Sequence, residues 1–376
     1  MFAEAYIKTA SEIIDVYKPQ LPLAVFLKQY FRLNKKFGSR DRKIITSLLY
    51  GYFRLGVQPE YITRRMHIIL GSFLSGELPI LFYQKTCNEV CAYYSLSFDD
   101  KRSFVEKKYH VRFSLPYKLS EGVNEDDYFR YLFRPANVFI RIRKNQSAII
   151  QKLLNSNIPF KQISSTCLAF NQNIKLNEIL GETDEYVIQD YSSQLTATLF
   201  PSIQTGAWWD CCAASGGKSL LLFDHNQHIQ LDISDIRKSI IEQLKYRLHQ
   251  YHFQPNKIFI HDARQALKGN KKYHSVLLDA PCSGSGTWSR SPEQFYYFQE
   301  DKLNEFKKLQ KAILEAVSKS ANHAIYYMTC SVFAEENEQL IRSFEAQYFR
   351  VKQIKAFNTF ELGGDHIFAC QLEKKD

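Results

Sequence analysis

Two cysteines stand where chemistry is easier to explain than packing. Cys282 lies in "DAPCSGSGTW", just beyond the apolar run "HSVLL", and Cys330 lies in "TCSVFAEENE", just beyond "AIYYM". Each is followed by serine, and Pro281 restricts the backbone in front of Cys282. Free cysteine is often merely a small buried apolar residue, but two of them at the ends of successive strands point to a shared pocket. A thiolate can add to carbon 6 of a pyrimidine and create an enamine at carbon 5, which by itself is too weak a nucleophile to take a methyl group. A second acid or base close by would serve the later loss of the carbon 5 proton and of the thiolate. Residue types alone leave open which thiol attacks.

The elements that must position them are strands and helices in alternation. After residue 200 the runs "GAWWDCC", "HIQLDI", "NKIFIHD", "HSVLLDA" and "HAIYYMT" alternate with helical stretches such as "SIIEQLKYRLHQY". That rhythm predicts an α/β domain with a mostly parallel sheet covered on both faces, whose ligands bind at the carboxyl ends of the strands. The first strand runs into "DCCAASGGKS", a turn of Cys212, Ala213, Ala214, Ser215, Gly216, Gly217 and Lys218 whose glycines let a ligand approach the backbone. A phosphate-binding loop would need glycine where Cys212 stands, so no phosphate cradle is expected. The following strands are expected to end at Asp232, Asp262 and Asp279, and Asp232 is placed to accept from the two hydroxyls of a ribose. A nucleoside cofactor without a phosphate cradle points to S-adenosylmethionine.

The front of the chain has another character. Residues 1–125 read as an all-helical domain, in which "SRDRKIITSLLYGYFRLG" predicts a helix capped by Ser39, carrying Ile44, Ile45, Leu48, Leu49, Tyr52 and Phe53 at helical spacing and closed by Gly56. Residues 126–195 read as a small α+β subdomain in which "NVFIRIR" alternates like an edge or half-exposed strand and Arg141, Arg143 and Lys144 extend a basic surface; residues 196–376 form the α/β domain. Residues 1–150 carry 24 Lys and Arg against 14 Asp and Glu, whereas the remainder carries 25 of each. The front is therefore suited to a polyanion.

The eight cysteines show no disulfide rhythm and are expected as reduced thiols in a cytoplasm. "CNEVC" at 87–91 lacks a second ligand pair, so no metal is expected. No run reaches the length of a membrane span, and the first residues form an amphipathic pattern that is not a signal peptide.

The motifs "DCCAASGGKS", "DAPCSGSGTWSRSPE" and "MTCSVFAEENE" resemble those of the RsmB/Sun family of RNA 5-methylcytosine methyltransferases, and "FGSRDRKIITSLLYGYFRLG" is similar to the NusB-like domain many bacterial members carry in front. "EYVIQDYSSQL" and "GGDHIFACQLEKK" resemble the segments that precede and close the family's cofactor domain. The resemblance implies a Rossmann-like S-adenosylmethionine-dependent domain, Cys330 as nucleophile, and Cys282 as the group that assists proton removal and release. It also implies Asp279 beside both cofactor and base, and Arg237 at the ribose edge with Asp232, Asp262 and the Cys212–Lys218 turn. The substrate is expected to be RNA, foremost ribosomal RNA, free or within a small-subunit precursor, methylated by a monomer. Two departures stand out: Ser215 where the family has proline, and Ser289 before Arg290 where many members have two basic residues. Two other classes fit parts of the pattern. A DNA cytosine-5 methyltransferase would need a target-recognition insertion, which is not seen, and a non-catalytic RNA-binding assembly factor would not need both thiols and Asp279.

Overall fold

The computed structural model describes residues 2–115, 117–171, 174–201, 205–345 and 349–375. The chain packs into two compact units. One comprises Met1–Tyr117, Asn124–Pro135 and Thr287–Gln299, and the other Lys118–Val123, Ala136–Gly286 and Glu300–Asp376. Of residues 126–195, expected as a small α+β subdomain, 136–195 pack in the unit that holds the large sheet and 126–135 in the helical unit, as does the segment after the Cys282 loop.

The helical unit follows its sequence periodicity. Ile44, Ile45, Leu48, Leu49, Tyr52 and Phe53 are all buried on the helix Ser39–Arg54. Its cap lies one residue earlier than expected: Gly38 is the N-cap, and its N–H donates to Asp41 Oδ2 at 2.9 Å. This helix meets Arg64–Ser75 backbone to backbone at Gly51 and Gly71. A Cβ built on Gly71 would lie 2.2 Å from the Gly51 carbonyl oxygen, so only glycine permits the crossing.

In the second unit the strands are β1 (Val138–Ile142), β2 (Lys161–Gln162), β3 (Cys167–Phe170) and β4 (Tyr186–Ile188), forming an antiparallel sheet in the order β2-β3-β1-β4. β1 is therefore central and mostly buried, neither the edge nor the half-exposed strand expected. Its alternating basic residues are used inward: Arg141 Nη1 lies 2.7 Å from Asp224 Oδ2 and Arg143 Nη2 lies 2.8 Å from Asp224 Oδ1. Arg141 and Arg143 thus do not extend a basic surface; only Lys144 is exposed, paired with Asp184. Asp224 belongs to the helix Gly217–His225 of the large sheet, so these two ion pairs fasten the small sheet to it. Removing Asp224 would leave two buried guanidinium groups uncompensated, at a cost of about 3–5 kcal/mol.

The large sheet contains β5 (Gly206–Asp210), β6 (Ile229–Asp235), β7 (Lys257–Ile260), β8 (Tyr273–Asp279), β9 (Ala321–Thr329), β10 (Phe349–Asn358) and β11 (His366–Lys374), in the order β10-β11-β9-β8-β5-β6-β7. β5 to β9 run parallel, and β10 and β11 complete the sheet antiparallel. Adjacent residues Trp208 and Trp209 alternate between its faces. Trp208 joins Leu220, Leu244 and Leu248 from the helices Gly217–His225 and Lys238–Gln250, whereas Trp209 joins the core of Ile313, Leu314 and Val317 from the helix Glu300–Ser318. β5 pairs with both β6 and β8, so the chain reverses its order of strand addition there, and a crevice opens beyond the carboxyl ends.

Candidate active site

The crevice is a cavity of about 560 Å³. It is lined at the polar end by Asp235, Arg237, Asp262, Asp279, Cys282 and Cys330, and elsewhere by Ile236, Leu309 and Ile313 among others. β8 and β9 are neighbours, with Asp279 opposite Met328, so the loops that follow them lie side by side. The two thiols expected to share a pocket do so: Cys282 Sγ is 3.5 Å from Cys330 Sγ. The hydrogen bond to Cys330 and burial, with negative charge at Cys330 and Glu336, push the Cys282 thiol well above its ordinary range.

Asp279 at the end of β8 accepts from Lys218 Nζ at 2.7 Å. Burial disfavours the Lys218 ammonium, yet Asp279 and the two thiols hold its pKa above the ordinary lysine value. Lys218 is thus a cation at the thiol pair, and it does not line the cavity.

The expected cofactor turn divides by direction. Cys212 and Ala214 face the cavity; Ala213 is buried, its N–H on the Ser234 carbonyl. Gly216, at φ +78°, caps the helix Gly217–His225, and a Cβ there would sit 2.4 Å from Leu244 Cδ1. Ser215, in place of the family's proline, is held from outside: Arg247 Nη1 donates to its Oγ at 2.8 Å and to its carbonyl at 3.1 Å. Below the turn, Asp210 is wholly buried, accepts from Ser219 Oγ at 2.5 Å, and has its carboxyl pushed up to about 7 by burial.

Asp232 is not at this edge. β6 runs three residues further than expected, and Asp232, 1% exposed, is an interior acid that takes Lys271 Nζ at 2.5 Å, Asn256 Nδ2 at 2.6 Å and the Tyr273 hydroxyl at 2.7 Å. Asp235 occupies the strand end. Its Oδ2 accepts the Ala214 N–H at 3.0 Å, and Oδ1 accepts the N–H and Nε of Arg237 at 3.0 and 2.9 Å. Burial alone would raise its pKa, but Arg237 and these N–H groups hold it below the usual carboxylate range. Arg237 is at the cavity as expected. So is Asp262, two residues past β7, gripped by Arg264, whose hydrogen bond keeps that carboxyl low. Sequence reasoning also missed His261 and Arg264, which carry no motif; "LDISDIR" did hold Asp235, the second of two acids in one strand.

A strand-end acid, a left-handed backbone at Ala214 (φ +47°) and an apolar wall fit a nucleoside with a charged tail. Together with the sheet order they define a class, the Rossmann-like domain of S-adenosylmethionine-dependent methyltransferases. Residues 197–367 match the model of the 16S rRNA methyltransferase RsmB/F family. Ribosomal RNA small subunit methyltransferase B of Yersinia pseudotuberculosis (strain IP 31758) is 29% identical over 201 residues, which cover 50% of this chain and 47% of the relative. The chain thus spans about half the length of the curated relatives it matches. Two crystal structures share the fold. PH0851 aligns over 99% of this chain and 98% of its own at 20% identity, with a TM-score of 0.69. NSun6 from Pyrococcus horikoshii with SFG aligns over 67% and 94% at 15% identity, with a TM-score of 0.59.

Proposed function

We propose that this chain methylates carbon 5 of a cytosine in RNA, ribosomal RNA in particular, through a covalent bond between Cys330 and the base. The observation that carries the reading is the thiol pair at 3.5 Å, beside the cavity and next to the Lys218–Asp279 ion pair. S-adenosylmethionine supplies an electrophilic methyl group. Asp235 and Arg237 would hold its ribose end, Cys212 and Ala214 its backbone side, and Ile236 and Ile313 its apolar parts.

The chain's own residues do the rest. The Cys330 thiolate adds to carbon 6, and the electrons of the 5,6 double bond move to carbon 5, which takes the methyl group. Asp279, steadied by Lys218, hydrogen-bonds the ring as charge develops on it. Cys282, entering this step as a thiolate, takes the carbon 5 proton and becomes the thiol while the bond from Cys330 to carbon 6 breaks, restoring the double bond and freeing the Cys330 thiolate. Attack from above the ring requires an unstacked base, which favours single-stranded RNA.

The helical unit supports a polyanionic partner. Lys28, Arg32, Lys35, Arg40 and Lys43 are exposed and have no ion-pair partner among the described residues. The same unit contains a cavity of about 430 Å³ lined by Tyr117, Trp288, Phe295, Tyr296 and Phe298 beside Arg112, a setting in which an unpaired base can stack. We read this unit as NusB-like and RNA-binding. Cys330→Ala tests the function: transfer of labelled methyl to small-subunit ribosomal RNA from cells lacking the protein is expected to vanish, and normal turnover would overturn the mechanism.

A further inference from the structure

We infer that Glu336 is a positioning residue that fixes Cys282 and Cys330 against each other; the inference rests on the two-thiol reading above and deepens it. Glu336 is fully buried, and it binds the residues that follow the two thiols. Ser283 donates its N–H to Oε1 at 2.9 Å and its hydroxyl to Oε2 at 2.5 Å, and Ser331 donates its hydroxyl to the same Oε2 at 2.5 Å. Gln310 Nε2 adds a fourth donor to Oε1 at 2.9 Å and also donates to the carbonyl of Pro281, the residue in front of Cys282, at 3.0 Å. The two hydroxyls are 3.1 Å apart. One carboxylate thus closes a ring of hydrogen bonds through both cysteine loops, 48 residues apart in sequence.

Two physical consequences follow. Four donors on two oxygens hold the carboxyl in one orientation against both loops, while burial pushes its pKa up. Negative charge at Glu336 also acts on Cys282 and favours its protonated form. The other ionisable groups facing Cys282 are Cys330, Asp279, Lys218 and Tyr327.

The test is Glu336→Gln, with Ser331→Ala as a second variant that removes one donor and leaves the charge. Both are assayed with small-subunit ribosomal RNA from cells lacking the protein. For Glu336→Gln we expect unchanged KM for S-adenosylmethionine, a kcat at least tenfold lower, and a tenfold rise in the ratio of covalent protein–RNA adduct to methylated product. The limb of the pH profile set by Cys282 should move to lower pH. Ser331→Ala should raise the adduct ratio less and leave that limb in place. A Glu336→Gln enzyme with the wild-type adduct ratio and pH profile would overturn the inference, even with slower turnover. Should Glu336→Gln fail to fold, an unchanged ratio in Ser331→Ala would overturn it equally. If wild-type protein itself forms neither product nor adduct, the two-thiol reading fails instead.

Discussion

Lys218 and Asp279 form an ion pair of 2.7 Å across 61 residues of sequence, joining the glycine turn after β5 to the end of β8. The lysine of the expected cofactor turn is thereby paired with Asp279, which on the proposed reading sets it toward the reacting base. Methionine at 218 keeps the stem and removes the charge. Lys218→Met should lower methyl transfer by about 10²-fold, the usual loss for one stabilising donor. S-adenosylmethionine affinity by calorimetry should change by less than about threefold. A parallel loss of both would return Lys218 to the cofactor site.

Asp235 and Asp232 offer a matched pair of tests on one strand. Asp235→Asn removes charge at the cavity and should weaken S-adenosylmethionine binding by about tenfold, near 1.4 kcal/mol. Asp232→Asn should leave binding intact and cost about 1–3 kcal/mol of stability in denaturant unfolding, because the buried carboxylate's three donors lose their anion. The opposite pattern would restore Asp232 to the ribose position.

His366, at the start of β11, is fully buried, and neither ring nitrogen has a hydrogen-bond partner among the described residues. Burial pushes its pKa down to about 4 from the ordinary 6.5. The folded state therefore resists the proton that the unfolded chain accepts, so this contribution is fully present above pH 6.5 and is lost as pH falls toward 4. At about 1.4 kcal/mol per pH unit the loss amounts to a few kcal/mol. His366→Phe should flatten the fall in denaturant midpoint between pH 6.5 and 4.5; an unchanged slope would place the acid sensitivity elsewhere.

Much of this was legible in the sequence because it depends on period and position. Alternation placed β5 to β9 in one parallel sheet, and neighbouring β8 and β9 brought Cys282 and Cys330 together. Arg141 and Arg143 were misjudged because an inward-facing arginine alternates just as an exposed one does; only Asp224, more than eighty residues away, reveals the difference. Asp232 and Asp235 share a strand, and the choice between them depends on Lys271, Asn256 and Tyr273, partners that folding supplies. Glu336 stood unread in "FAEENE", since its role comes from two serines that meet only in the folded chain.

The division of labour between the thiols is tested most directly by denaturing gel electrophoresis of Cys282→Ala and Cys330→Ala after incubation with S-adenosylmethionine and small-subunit ribosomal RNA from cells lacking the protein. Cys282→Ala should accumulate a covalent protein–RNA band that persists under denaturation, because Cys330 has attacked and release is blocked. Cys330→Ala should give no band and no methylated RNA. A band from Cys330→Ala, with none from Cys282→Ala, would contradict the assignment and make Cys282 the nucleophile.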